Sequence, residues 1–237
     1  MPVKRTRSRF LVWVALALIG FILSGVGVLQ GASGEQEVAL IPIDSAIDAG
    51  TERFLAGALE EAELSGHGAV ILELNTPGGL ISAAQDIRSS LDNFDGPVYA
   101  LVRHHALSAG AYLALAADAI YMFPGSTMGA AEPALLGGGE VDEKNLSAWE
   151  KEMVTMAERQ DRDPQLASAM VRREVEVEGL VQSGQLLTLS TGEALEWGYA
   201  EGSVDSRQEL LEAVGLTGAR IVEFEPDLAH RVVSWVT

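Results

Sequence analysis

A serine hydroxyl is a weak nucleophile until a neighbouring base takes its proton. The residues of first interest are therefore Ser108, the few histidines and lysines that could serve it, and the glycine turn Pro77-Gly78-Gly79. Ser108 lies in Leu107-Ser108-Ala109-Gly110-Ala111-Tyr112, between an apolar run beginning at Pro97 and an alanine-rich segment ending at Ala117. The first run reads as a strand and the second as a helix. At such a junction a hydroxyl stands among backbone N–H groups without helical partners. An isolated serine there reads equally as a helix N-cap.

The choice of base is narrow. His104 and His105 sit just ahead of Ser108 on the incoming strand or turn, and a residue so near in sequence cannot easily curl back onto the hydroxyl. His67 follows the first helix and His230 is in the tail; all four read as surface or structural histidines. A lysine can act as a base where burial in an apolar site lowers its pKa to about 7 to 8. Lys4 belongs to the basic N-terminus, and Lys151 lies beside Glu150 and Glu152 as an ion-pairing surface residue. Lys144 opens a helix directly after Gly137-Gly138-Gly139, and reads either as the base or as a surface lysine beside Asp142 and Glu143. An oxyanion hole needs two aimed N–H groups, each worth about 3 to 4 kcal/mol. Pro77-Gly78-Gly79 can supply one, because glycine permits close backbone approach, and Ala109 the other; the turn also reads as an ordinary strand-to-helix connection.

The elements that would position these groups alternate. Strands are predicted at 38–43, 69–74, 97–102 and 119–123, with helices at 48–64, 80–94 and 110–117 between them. This alternation predicts an α/β fold of parallel βαβ units, in which sites gather at the carboxyl ends of the strands. Asn75 to Gly79 and Ser108 both fall at that edge. Beyond a looser stretch at 125–142, helices are predicted at 144–159 and 164–173, Pro164 suiting a first turn. An extended run at 186–189 then leads to Ser190-Thr191-Gly192-Glu193, which has capping-box spacing for a helix through Trp197. A last helix is predicted to end near Val214.

The 237 residues suit one domain and a terminal appendage. With no cysteine, disulfides, thiolate catalysis and sulfur-ligated metals are excluded. No metal or nucleotide motif is present, and no cofactor is expected. Net charge is −18; Lys4, Arg5, Arg7 and Arg9 precede the first acid, Glu35, so the other 12 basic residues face all 34 acidic ones. Such a surface repels nucleic acid and anionic lipid. Residues 1–34 read as a signal peptide or membrane anchor: Phe10 to Leu29 is apolar and uncharged, long enough to span a bilayer. The basic flank should stay inside the cell, placing the acidic domain, 35–225, on the extracytoplasmic side. Residues 226–237 form a short amphipathic tail, readable as a docking helix, a membrane-surface contact or the approach to a further segment.

The combination Asn75-Thr76-Pro77-Gly78-Gly79, Ser108-Ala109-Gly110-Ala111-Tyr112-Leu113, Pro124-Gly125-Ser126 and Glu132-Pro133 resembles the ClpP/crotonase-fold serine proteases, in particular the membrane-associated NfeD-type branch, the stomatin-operon partner proteases. The similarity covers roughly 37 to 225. It implies a ClpP/crotonase-like fold of repeated ββα/βαβ units, Ser108 as nucleophile, Lys144 as general base, Gly79 and Ala109 as oxyanion hole and Gly78 beside the substrate. Where ClpP-like sequences carry a catalytic histidine, this chain has Ala130-Ala131, which fits a Ser-Lys dyad rather than a Ser-His-Asp triad. Longer members of the NfeD family continue into membrane helices and a small β-barrel.

The resemblance implies a membrane-associated serine endopeptidase acting on hydrophobic peptide segments, such as those of a stomatin-like membrane protein, and self-associating as a homo-oligomer. Two alternatives stand beside it. One is a catalytically silent scaffold binding a membrane partner. The other is a crotonase-like acyl-thioester enzyme, for which an exported acidic domain is a poor setting.

Overall fold

The computed structural model describes residues 36–135 and 141–226. The predicted N-terminal targeting segment, the glycine run 137–139 and the amphipathic tail lie outside the described residues. Eight strands and seven helices follow in order: β1 (Glu37–Ile43), α1 (Ala49–Leu64), β2 (Ala69–Thr76), α2 (Ile81–Asp92), β3 (Val98–Leu107), α3 (Ala109–Ala116), β4 (Ala119–Met122), β5 (Thr127–Gly129), α4 (Glu143–Arg159), α5 (Pro164–Val171), β6 (Thr188–Ser190), α6 (Thr191–Glu196), β7 (Gly202–Ser203), α7 (Arg207–Ala213) and β8 (Arg220–Glu223).

The strands form one sheet in the order β6-β5-β3-β2-β1-β8, with β4 between β3 and β7 off this path. Every pairing is parallel except β5 with β6. The expected parallel units are therefore present. Continuous apolar strands such as Ala69–Leu72 suit a sheet covered on both faces. Strand alternation divides the core accordingly. Val70, Leu72, Ala100 and Val102 join the larger cluster with the helices through α6, while Val38, Leu40, Ile71 and Leu101 pack with Leu210 and Leu211 of α7.

Helix ends follow the sequence closely. Asp48 caps α1 through Gly50 and Thr51 N–H (both 2.8 Å), Pro164 starts α5, and Ser190 with Glu193 forms the predicted capping box. The strands depart more. β3 continues through His104 and His105 to Leu107, past the predicted end at 102. One edge of β3 is shared: β4 pairs with its first part (Tyr99–Val102) and β5 with its last (His105–Leu107). That division brings the end of β5 beside Ser108.

Candidate active site

Ser108 occupies the single residue between β3 and α3. Its backbone sits at φ 54°, ψ −122°, and its hydroxyl makes no capping hydrogen bond. The cap reading is thereby corrected: the left-handed turn carries the side chain away from the helix N–H groups that a cap would engage. A non-glycine residue in such a region costs about 1–3 kcal/mol and persists only where its surroundings dictate it. Here they do. Ser108 N–H donates to Gly129 O (2.9 Å), and Ser108 O accepts from Ala111 N–H (2.9 Å) and Tyr112 N–H (3.3 Å). The hydroxyl itself makes no hydrogen bond to any described residue.

The glycine turn is pressed against this serine. Gly78 has φ +102°, and a methyl placed on it would stand 2.5 Å from Ser108 Cβ and 3.0 Å from Ser108 Oγ. Gly79 lies against Ile47, where a methyl would meet Ile47 O at 2.0 Å. The turn is held by Ile47 N–H to Gly78 O (2.9 Å) and Leu80 N–H to Ile47 O (2.8 Å). Thr76, quoted in the motif but given no role of its own from sequence, holds it from within: it accepts from Gly78 N–H (3.1 Å) and donates to Ser45 O (2.7 Å). A threonine two residues before a glycine is a recognisable local turn signal. The N–H groups of Gly79 and Ala109 have no acceptor among the described residues. Among the described residues, the glycine turn and the start of α3 thus each carry an unpartnered N–H beside a strained serine, the type of donor that an oxyanion hole requires.

Lys144 stands on the first turn of α4, exposed, with no hydrogen bond or ion pair to any described residue. No hydrogen bond joins it to Ser108. Its helical position is nevertheless informative. Residues at i+4, i+7 and i+11 share a stripe with Lys144, and these are Ala148, Lys151 and Thr155. All three line a groove between α2 and α4, together with Gln85, Ser89 and Tyr112. Tyr112 is one turn beyond Ser108, packs its ring at a tilt against Trp149 (centroids 4.9 Å apart) and donates to Glu152 Oε2 (3.2 Å). Burial and then Glu152 push the Tyr112 hydroxyl up, so it remains a donor. Lys151 pairs with Glu158 (3.7 Å) on the surface, as an ion-pairing lysine should.

None of the described histidines, His67, His104 and His105, makes a hydrogen bond to Ser108. His105 is exposed, with Nδ1 3.0 Å from Thr127 Oγ1. His67 is buried against Ala62 O (3.1 Å) and Glu37 (3.7 Å). His230 lies outside the described residues. Ala130 and Ala131 are occupied structurally: Ala130 N–H donates to Leu187 O (2.9 Å), Ala131 N–H to Met170 O (2.6 Å), and Ala131 O accepts from Trp149 Nε1 (2.8 Å). No group of acidic or histidine side chains among the described residues could hold a metal ion, and none of their helices is long and apolar enough to cross a membrane.

Comparison with known proteins bears on the fold and the family. A solved structure of a membrane-bound stomatin-specific protease, a lysine-to-alanine mutant in complex with a substrate peptide, superposes with a TM-score of 0.75 at 23% identity, covering 86% of this chain and 98% of that one. ClpP1 from Listeria monocytogenes matches with a TM-score of 0.58 at 18% identity, over 72% of this chain and 94% of that one. These likenesses show a ClpP-like fold. The membrane protein NfeD1b of Bacillus subtilis is 38% identical over 224 residues, which is 93% of this chain but 51% of that protein, so the chain spans about half the length of this relative. The family model for the NfeD1b N-terminal domain matches residues 37–224, and the chain belongs to that family.

Proposed function

We propose that this chain is a membrane-associated serine endopeptidase in which Ser108 is the nucleophile and Lys144 the general base. The observation that carries the reading is Ser108 itself: a strained, hydrogen-bond-free hydroxyl next to the unpartnered N–H groups of Gly79 and Ala109, in a ClpP-like fold. In this mechanism a neutral Lys144 amine takes the Ser108 proton as Oγ attacks the scissile carbonyl. Gly79 and Ala109 N–H groups hold the tetrahedral oxyanion, the protonated amine releases its proton to the leaving nitrogen, and water then hydrolyses the acyl-enzyme. Gly78 keeps the turn close enough for an extended peptide to lie beside the serine. Because Lys144 is exposed, the bound peptide must supply the desolvation that makes a lysine an effective base.

The substrate would be a hydrophobic segment of a stomatin-like membrane protein, a reading supported by a protease of the same fold that is stomatin-specific and binds a substrate peptide. Residues 1–34 would deliver or anchor the domain of 35–225 on the extracytoplasmic face as a homo-oligomer, with 226–237 as a tail. The experiment is cleavage of hydrophobic peptides from such proteins, followed by mass spectrometry. Wild type should cut, and Ser108→Ala and Lys144→Ala should not.

A second reading, a scaffold that binds such a segment without cutting it, draws on one specific observation: Lys144 makes no hydrogen bond to Ser108. Equal peptide binding by wild type and Ser108→Ala, with no products after days, would favour it.

A further inference from the structure

Two consecutive arginines that no part of the chemistry above uses lie just after α5. Arg173 grips Glu132 with two nitrogens: Nε to Oε1 and Oε2 at 2.9 and 3.0 Å, and Nη2 to Oε2 at 2.6 Å. Arg172 is set among three carboxylates. It reaches Glu143 at 2.6 and 3.2 Å and Glu174 at 3.1 Å, and it binds Glu150 through Nε. Glu150 also accepts from Ser168 of α5.

The positions of these acids matter. Glu132 precedes the connection that leads to α4, and Glu143 is the residue immediately before Lys144. Glu143 and Glu150 are seven residues apart, so they lie on one face of α4. Arg172 therefore fixes the roll of α4 about its axis, at the turn that carries Lys144. With that face bound to α5, Ala148, Lys151 and Thr155, which continue the stripe that Lys144 begins, line the groove toward α2 and Tyr112. The support is itself fixed: Arg172 N–H donates to Ser168 O (2.8 Å) and Gly184 N–H to Arg173 O (2.6 Å).

Exposure ranks the two arginines. The Arg173–Glu132 pair is 54% and 35% exposed, and such surface pairs hold little energy. Arg172 is only 13% exposed and binds three partners, so it is the stronger constraint. Its hydrogen bonds to Glu143 hold that carboxyl below the usual range, keeping Glu143 charged and engaged beside the lysine.

We infer that Arg172, assisted by Arg173, is a positioning residue that orients the N-terminal turn of α4 and so presents Lys144 to the serine. This rests on the reading of Lys144 as the base. A structural arginine would alter stability alone; a positioning arginine alters the rate of serine activation at unchanged affinity.

The test uses the full chain and a fluorophosphonate probe, separating the maximal inactivation rate from the apparent probe affinity, with thermal melting alongside. Arg172→Gln should lower the maximal rate at least tenfold with affinity within twofold. Glu143→Gln alters a carboxylate that is 72% exposed and leaves the fold intact, so it carries the test even where Arg172→Gln unfolds; it should slow the rate about threefold or more. Arg173→Glu should also slow it, and the exchanged pair Arg173→Glu with Glu132→Arg should restore it to within twofold. Wild-type rates in Arg172→Gln and Glu143→Gln, beside a dead Lys144→Ala, would overturn the positioning role and leave the dyad standing. A wild-type rate in Lys144→Ala would remove the dyad, and this inference with it.

Discussion

Replacing Gly78 by alanine should disable Ser108 without removing an atom of it. The added methyl would stand 2.5 Å from Ser108 Cβ, 2.9 Å from Leu107 O and 3.0 Å from Ser108 Oγ. Ordinary contact begins near 3.4 Å, so turn and serine must separate by about 0.9 Å. Neither side yields freely: Gly78 is tied to Ile47 and Thr76, and Ser108 to Gly129, Ala111 and Tyr112. A displacement of about 1 Å in a reacting group costs on the order of a hundredfold in rate. An alanine at φ +102° adds about 1–3 kcal/mol of backbone strain, which in a domain of this size lowers the melting midpoint by about 2–4 °C per kcal/mol. The assay is the rate of fluorophosphonate labelling beside a melting curve, with Gly57→Ala as control, since a methyl there meets nothing within 4 Å. The expected result is labelling slowed about a hundredfold, far more than the folded fraction falls. Labelling by Gly78→Ala at the wild-type rate would refute the packing of turn on serine and the role built on it.

Three other perturbations follow from the same structure. Ser108→Gly and Ser108→Ala should both be inactive, but the glycine variant should be the more stable by about 1 kcal/mol in denaturant unfolding, because it relieves the strain at φ 54° that alanine retains; equal stability would argue against strain there. Glu201→Gln should cost about 3 kcal/mol in the same measurement, since Arg162 is 1% exposed and Glu201 (2.8 Å) is the acid that pairs with it, while Arg162→Met, which removes the buried charge, should cost less. Glu73, 4% exposed, would have its pKa raised by burial, but Arg207 and Arg103 outweigh this and hold it below its ordinary 4.5. A depressed folded pKa stabilises above the unfolded value and is lost on acidification. Glu73→Gln should thus cost about 2 kcal/mol at pH 7, and the gap to wild type should close as the pH falls below 4.5 through the folded value; a gap independent of pH would contradict this.

Much of the fold was legible because periodicity is a local signal. The apolar runs of β1, β2 and β4, the spans of α1 and α4, the Pro164 first turn of α5 and the Ser190 capping box each speak within a few residues of chain. The strands β5, β7 and β8 were not legible: they are two to four residues long and owe their conformation to partners such as β3 and β1, far off in sequence. Ser108 shows the same division. Its place between strand and helix was readable, but its left-handed backbone was not, since Gly129 and the turn at Gly78 impose it from elsewhere in the chain. Lys144 does lie in the first turn of α4, which begins one residue earlier, at Glu143. The arginines that grip the acids around it could not be read, because Arg172 meets Glu143, and Arg173 meets Glu132, only through tertiary folding.

The central claim is that Ser108 is a nucleophile activated by Lys144. The most direct measurement is the rate and site of phosphonate attachment to the full chain, mapped by peptide mass spectrometry in wild type, Ser108→Ala and Lys144→Ala. The account predicts one adduct, on Ser108, absent from Ser108→Ala and formed at least a hundredfold more slowly in Lys144→Ala. Equal labelling of all three proteins, or an adduct on another residue, would contradict it.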